Sequence, residues 1–292
     1  WASGTGMNTG RYNAFSCANG PPSALLFFGG IYGIPGTSTN TAKTEEFNGT
    51  SWSEEADMPG VRATGGGAGT QTAAIAMGGY VTTSLTDLTS EYNGASWTAL
   101  TATPATVGNT KGCGTSTAAL LVGGKTAAAP TTGTTATLEY TAPTWASGGV
   151  MTTPRWQSAC FGTQTAAVAA GGQGFIATTE EYNGESWTSG GALLTASGYL
   201  GSNGSQTDGL VYAGETTPAK LSQCVGYDGT AFSTRPSLAT ARMGVGNGGG
   251  TASTAAVALS GDTPGSPGSM PTAVEEFTGD TSAPNIVTVT TS

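Results

Sequence analysis

Three observations in the 292-residue chain predict an all-β fold made of six copies of one four-stranded unit. First, an aromatic string recurs along the whole length: EEFNGTSW at 45–52, SEYNGASW at 90–97, LEYTAPTW at 138–145, EEYNGESW at 180–187, VGYDGTAF at 225–232 and a truncated EEFTGD at 275–280. Second, short apolar runs end in a small-residue pair, as in TAAIAMGG (72–79), TAALLVGG (117–124), TAAVAAGG (165–172) and TAAVALSG (254–261). Such runs suit a strand buried on both faces and stopped by a turn. Third, no segment sustains a helical apolar period.

The elements follow in order from four slots. The first aromatic slot holds Phe47, Tyr92, Tyr140, Tyr182, Tyr227 and Phe277, and recurs at intervals of 42 to 50 residues. Five residues later stand Trp52, Trp97, Trp145, Trp187 and Phe232; the sixth unit lacks this aromatic, and Trp1 at the other end of the chain supplies it. Ten residues beyond come Arg11, Arg62, Val107, Arg155, Ser197 and Arg242, and the Gly slot closes each unit at Gly30, Gly79, Gly124, Gly172, Gly214 and Gly261. This period is that of a propeller blade with strands a, b, c and d from centre to rim. The Arg slot opens a, the Gly slot closes b, and the two aromatics mark c and d. Asn48, Asn93, Asn183 and Asp228, each followed by Gly, predict two-residue c–d hairpins. The expectation is a six-bladed β-propeller over 1–280, closed by strands from both termini, with 281–292 as a C-terminal tail or linker. With Trp1 first and no Met before it, the numbering is expected to begin inside a longer or processed product.

These slots (Arg, apolar run, Gly-Gly, Glu-Tyr, Trp) resemble the Kelch repeat. The wording EEYNGxSW with GTQTAAIAMGG (69–79) and GTQTAAVAAGG (162–172) is similar to Kelch-like proteins encoded by marine bacteriophages, those of cyanobacteria among them. The third and fifth units depart from the pattern, with Val107 and Ser197 in the Arg slot, which speaks against a six-fold arginine ring. The resemblance implies a virion protein.

Composition narrows the chemistry. There is no His, so His-based triads, His zinc sites and the copper site of galactose-oxidase-type Kelch propellers are excluded. The net charge of −9 argues against a nucleic-acid partner, and no apolar run is long enough for a membrane-spanning helix. Cys17, Cys113, Cys160 and Cys224 show no metal-ligand spacing and read as free buried thiols. No sialidase Asp box is present. The acids Glu46, Glu91, Glu139, Glu181 and Glu276 repeat with the blades and read as scaffold, whereas a glycosidase pair should break the pattern. No catalytic residue, metal site or cofactor is expected.

Binding is the remaining option. The spacing between the aromatic slots and on to the Arg slot is fixed, whereas ten to seventeen residues separate the Gly slot from the first aromatic. Apart from two extra residues between the Arg and Gly slots of the first and sixth units, the length freedom therefore sits in the b–c loops (31–44, 80–90, 125–138, 173–180, 215–225, 262–274), where recognition is usually carried. In an antiparallel blade the d–a and b–c connections share one face. Arg11, Arg62, Arg155 and Arg242, with the neighbouring Tyr12 and Trp156, are thus candidate ligand residues at the central channel. The competing reading has the arginines satisfying backbone carbonyls. The expected function is a non-catalytic structural or adhesion module of a phage virion, on a tail fibre or decorating the capsid. Its partners would be other virion proteins, host-surface glycan or a second copy of the chain. The alternative is a secreted or cell-surface bacterial carbohydrate-binding propeller, and after it an enzyme with an unrecognised polar site.

Overall fold

The computed structural model describes residues 1–17, 19–33, 38–127, 131–217, 219–248, 250–264 and 271–279. The expected tail at 281–292 lies outside the described residues. Six four-stranded antiparallel sheets form the blades of a propeller. Blade 1 comprises Phe15–Ser16, Leu25–Phe28, Thr44–Phe47 and Trp52–Glu55, and blade 2 Gly66–Thr70, Ala73–Met77, Thr89–Tyr92 and Trp97–Leu100. Blade 3 comprises Lys111–Gly114, Ala118–Val122, Thr137–Thr141 and Thr144–Ser147. Blade 4 comprises Ala159–Gly162, Ala167–Ala170, Thr179–Tyr182 and Trp187–Ser189. Blade 5 comprises Gly201–Ser205, Asp208–Tyr212, Cys224–Tyr227 and Phe232–Arg235. Blade 6 takes Gly246–Gly248, Ala255–Leu259 and Val274–Thr278 from one end of the chain and Ala2–Ser3 from the other, with Ala2 opposite Glu276.

The slots map closely, with two corrections. Strand a begins four residues after the Arg slot in every blade rather than at it, and the Gly slot lies two residues past the end of strand b. At the Gly slot of blade 2, Gly79 has φ +109, and a Cβ there would lie 2.6 Å from Ala63 O. The Asn-Gly and Asp-Gly c–d turns hold four residues, not two, because Phe47 pairs with Trp52 and Tyr182 with Trp187, whereas in blade 3 Thr141 pairs with Thr144 across Ala142-Pro143. Asn48 is not a central residue of a tight turn. Its Oδ1 accepts the N–H groups of Thr50 (3.0 Å) and Ser51 (2.9 Å), so a side chain satisfies turn donors and only Gly49 has positive φ.

The core consists of six layers, one between each pair of neighbouring blades. The doubly buried b strands alternate between two of them. In blade 2, Ala74 and Ala76 face Leu26 and Phe28 of blade 1, while Ile75 and Met77 face Ala119 and Leu121 of blade 3. Large side chains sit over alanines, as Leu120 and Val122 do over Ala167 and Ala169. This is why a chain with few bulky aliphatics fills its core. Nearest the axis the a strands touch one another around the ring, and a Cβ on Gly67 would stand 2.5 Å from Ser16 O. All four cysteines are free and buried.

A recurring set of hydrogen bonds ties a blade back to the one before it. The Gln of each GTQT-type a–b turn reaches the preceding blade: Gln71 donates to Phe47 O (2.8 Å), Gln164 to Tyr140 O (2.7 Å) and Gln206 to Tyr182 O (2.8 Å). The rim indoles do the same, Trp97 Nε1 donating to Thr44 Oγ1 (3.0 Å) and Trp187 Nε1 to Thr137 Oγ1 (2.8 Å). Tyr182 and Tyr227 donate their hydroxyls to Glu139 and Glu181 of the blade before. At the closure seam Trp1 Nε1 donates to Pro236 O (2.9 Å), and its ring packs against Tyr212 (5.2 Å) and Phe277 (5.4 Å).

The Arg slot pairs with strand c of its own blade. Arg11 meets Glu45 at 2.9 Å, Arg155 meets Glu180 at 2.7 Å and Arg242 meets Glu275 at 2.6 Å. Arg62 instead donates to Ser90 Oγ (2.9 Å) and Leu88 O (2.7 Å). Where the arginine is missing its partner changes too: Val107 belongs to the same apolar layer as Leu138, and Ser197 Oγ accepts from Gln223. The carboxylates also gather the N–H groups of the d–a loops, Glu180 taking those of Thr152 and Thr153 and Glu275 those of Ala239 and Thr240. At Glu180 burial raises the carboxyl pKa, but the bonds from Thr152 and Arg155 outweigh it and hold it below its usual value. Its stabilisation is therefore present above the ordinary carboxylate range and lost as pH falls through that depressed value. At Glu45 burial outweighs Arg11, and the carboxyl sits above its usual value.

Two stability measurements check this account. Glu180→Gln strands a buried guanidinium and should cost about 3 kcal/mol in urea unfolding. The double variant Arg155→Val/Glu180→Leu, which copies the Val107–Leu138 solution of blade 3, should recover most of that loss; equal damage in single and double variants would contradict the pairing. Trp1→Ala should lower stability by about 2 kcal/mol, whereas Val150→Ala, at a side chain 69% exposed, should leave Tm unchanged. Equal Tm values for these two would contradict closure of the ring through the N-terminal strand.

Candidate functional site

The d–a loops turn inward and meet at the axis on the b–c face. The residue after each Arg slot bridges the start of the next connection: Tyr12 with Ile31, Ala63 with Tyr80, Gly108 with Lys125, Gly198 with Glu215 and Met243 with Asp262. In blade 4, Gln173 N–H donates to Trp156 O at 2.7 Å. One residue further on, each blade places a left-handed residue: Asn13, Thr64, Asn109, Gln157 and Tyr199 have φ from 52° to 59°, and Gly244 has φ 63°.

These six residues, with Thr110 donating in place of Asn109, form a closed ring of main-chain hydrogen bonds around the axis. Asn13 N–H donates to Gly244 O (2.8 Å), Thr64 to Asn13 O (2.8 Å), Gln157 to Asn109 O (2.9 Å), Tyr199 to Gln157 O (2.8 Å) and Gly244 to Tyr199 O (3.0 Å). Between blades 2 and 3 the donor is Thr110, at 3.3 Å from Thr64 O. Non-glycine residues persist in this sparsely populated conformation only where surrounding structure dictates it, and here the bonds to neighbouring blades do so.

Above the ring lies an axial cup of about 330 Å³. Its floor is Asn13, Thr64, Asn109, Gln157 and Tyr199. One wall comes from two hairpins in the b–c loops, Ile31–Tyr32 with Thr39–Asn40 in blade 1 and Tyr80–Val81 with Ser84–Leu85 in blade 2, tied together by Asn40 Nδ2 donating to Tyr80 O at 2.8 Å. Lys125 and Trp156 form the opposite wall, the ammonium lying 3.8 Å from the centre of the indole ring. Trp156 also meets Tyr199 edge-on at 6.1 Å, and Gln157 Nε2 donates to Asn109 Oδ1 at 3.1 Å. Burial raises the hydroxyl pKa of Tyr80, and burial together with Glu215 does so at Tyr199, so both phenols stay neutral donors. A larger hollow of about 650 Å³, beside Trp1, Pro236 and Phe277, is the closure seam on the rim, away from the axis.

The residues singled out in the sequence divide here. Trp156 lines the cup. Tyr12 is half-buried beside it, its hydroxyl pKa raised by burial and by Asp262. Arg11, Arg62, Arg155 and Arg242 do not reach it: they are 0–1% exposed, and their guanidinium groups serve strand c and the main-chain carbonyls of the b–c connection. The expectation of arginine-to-ligand contact is corrected accordingly, and the carbonyl-satisfying reading describes their geometry. Sequence reading missed Asn13, Asn109, Gln157, Tyr199, Tyr80 and Lys125. A usable signal existed at the second position past the Arg slot, where Asn, Thr, Asn, Gln, Tyr and Gly form a column of mostly polar residues.

No family model and no curated relative matches the chain. Among solved structures it is similar to YjhT, with a TM-score of 0.72 over 94% of this chain and 96% of that one, at 11% sequence identity. That likeness shows a shared propeller fold.

Proposed function

We propose that the chain is a non-catalytic recognition propeller of Kelch type, a structural and adhesion module of a phage virion whose axial cup takes host-surface glycan. The observation that carries the reading is the lining of the cup. Trp156, Tyr80 and Tyr199 offer aromatic surface beside the amides of Asn13, Asn40, Asn109 and Gln157. Aromatic faces suit the apolar face of a pyranose, and amides can donate to and accept from its hydroxyls. A few placed polar groups on an aromatic wall is the usual build of a small-ligand site. The lining carries no carboxylate and no thiol among the described residues, and its polar groups are amides, hydroxyls and one ammonium. The virion setting, on a tail fibre or the capsid, is drawn from the resemblance of the repeat wording to marine phage proteins. It also accords with a rigid body whose variable loops share one face.

A glycan array probed with the wild-type chain and with Trp156→Ala checks the reading. Wild type should bind a restricted set of bacterial surface glycans, and the substitution should reduce that signal at least tenfold with Tm unchanged. Absence of any bound glycan, or equal binding by both proteins, would contradict it.

A further inference from the structure

The positions of the chain's nine basic side chains point to a ligand class for the cup. Arg11, Arg155 and Arg242 are neutralised by buried glutamates, Lys43 by Glu54 at 2.6 Å and Lys220 by Asp262 at 2.6 Å. Arg62 is sealed inside blade 2 on Ser90 and Leu88, and Arg235 lies on the rim against Ser233. Two cations remain, Lys111 and Lys125, and neither has a carboxylate partner among the described residues.

Both belong to blade 3 and both stand on the propeller axis. Lys125 lines the cup, with the indole of Trp156 as the partner of its ammonium. Lys111 lines a small hollow with Ala14, Ser16, Gly65 and Asn247, on the a strands just past the left-handed ring. Burial lowers the Lys111 ammonium pKa to about 8. In a chain of net charge −9, Lys125 is the one charged side chain in the cup lining, while the nearby acids Glu215 and Asp262 belong to blades 5 and 6 and stand outside it.

Resting on the glycan reading above, we infer that the axial cup selects an anionic sugar unit, its acidic group held by Lys125 and its ring set against Trp156. A lysine ammonium on a flexible stem can turn from the indole towards an arriving anion without leaving the wall. The cup volume of about 330 Å³ suits a mono- or disaccharide unit. A carboxylate and a sulfate ester would satisfy the ammonium alike, so the shared feature is a sugar carrying one negative charge.

The test is the affinity of the wild-type chain, Lys125→Met and Trp156→Ala for glucuronic acid, glucose 6-sulfate and glucose, by titration calorimetry at low and high salt. Wild type should bind at least one acidic sugar tenfold or more tightly than glucose, with the advantage shrinking as salt rises. Lys125→Met should erase that advantage while keeping the wild-type Tm. The stronger acidic sugar identifies carboxylate or sulfate as the group recognised. Glucose binding as tightly as both acidic sugars, or an advantage that survives Lys125→Met, overturns the anionic preference but leaves the glycan reading standing. Failure of all three sugars to bind, or binding indifferent to Trp156→Ala, overturns the inference together with the reading beneath it.

Discussion

Bringing six polar loops to one axis is the problem that this fold must solve. Each d–a connection leaves the rim and runs inward, and its main-chain groups need partners once water is excluded. Two devices supply them. In blades 1, 4 and 6 an arginine and a glutamate clamp the loop to strand c, the carboxylate collecting loop N–H groups and the guanidinium collecting carbonyls. At the axis, the left-handed residues, with Thr110 standing in as the donor of blade 3, pass N–H to C=O from blade to blade until the ring closes. The clamp sets where the loop enters and the ring sets where it ends, so the floor of the cup is fixed by main-chain bonds rather than by the side chains it presents.

That separation explains why the repeat tolerates variation. The Arg slot contains Arg with Glu, Arg with Ser, Val beside Leu, or Ser with Gln, and in every blade the second residue beyond it is left-handed. Replacing a buried ion pair by apolar neighbours of compatible shape is often close to neutral, whereas removing one partner is not. The floor positions vary more freely, as Asn13, Thr64, Asn109, Gln157 and Tyr199 illustrate, because they contribute their backbone to the ring and leave their side chains to the cup. The six units are thus alike where they pack and unlike where the axis opens.

Most of the fold was legible in the sequence because packing repeats. The aromatic pair, the Gly slot and the displaced Trp1 all mark contacts that recur once per blade. The innermost strands were misplaced for a physical reason: crowding at the axis selects Gly, Ser and Asn, as in Gly201–Ser205 and Gly246–Gly248, and such segments carry no apolar period. The hairpin turns were read one size too small because an Asn-Gly pair can serve either as the centre of a tight turn or, as at Asn48, as a side-chain cap on a longer one. The cup was the least legible part. Its lining comes from five blades, one to four residues from each, and only Trp156 broke the repeat visibly enough to be noticed. The arginines attracted attention because they are charged and periodic, yet that periodicity is the mark of a scaffold residue.

The central claim is that the scaffold carries the rim tryptophans while Trp156 alone serves the axial cup. The chain has six tryptophans, so a nitrogen–proton correlation spectrum resolves the claim through their indole N–H signals during titration with glucuronic acid. The account predicts that the Trp156 signal moves on saturation while those of Trp1, Trp52, Trp97, Trp145 and Trp187, held by neighbouring blades, stay in place. A rim indole moving while Trp156 stays, or all six remaining unmoved at saturating sugar, would contradict it.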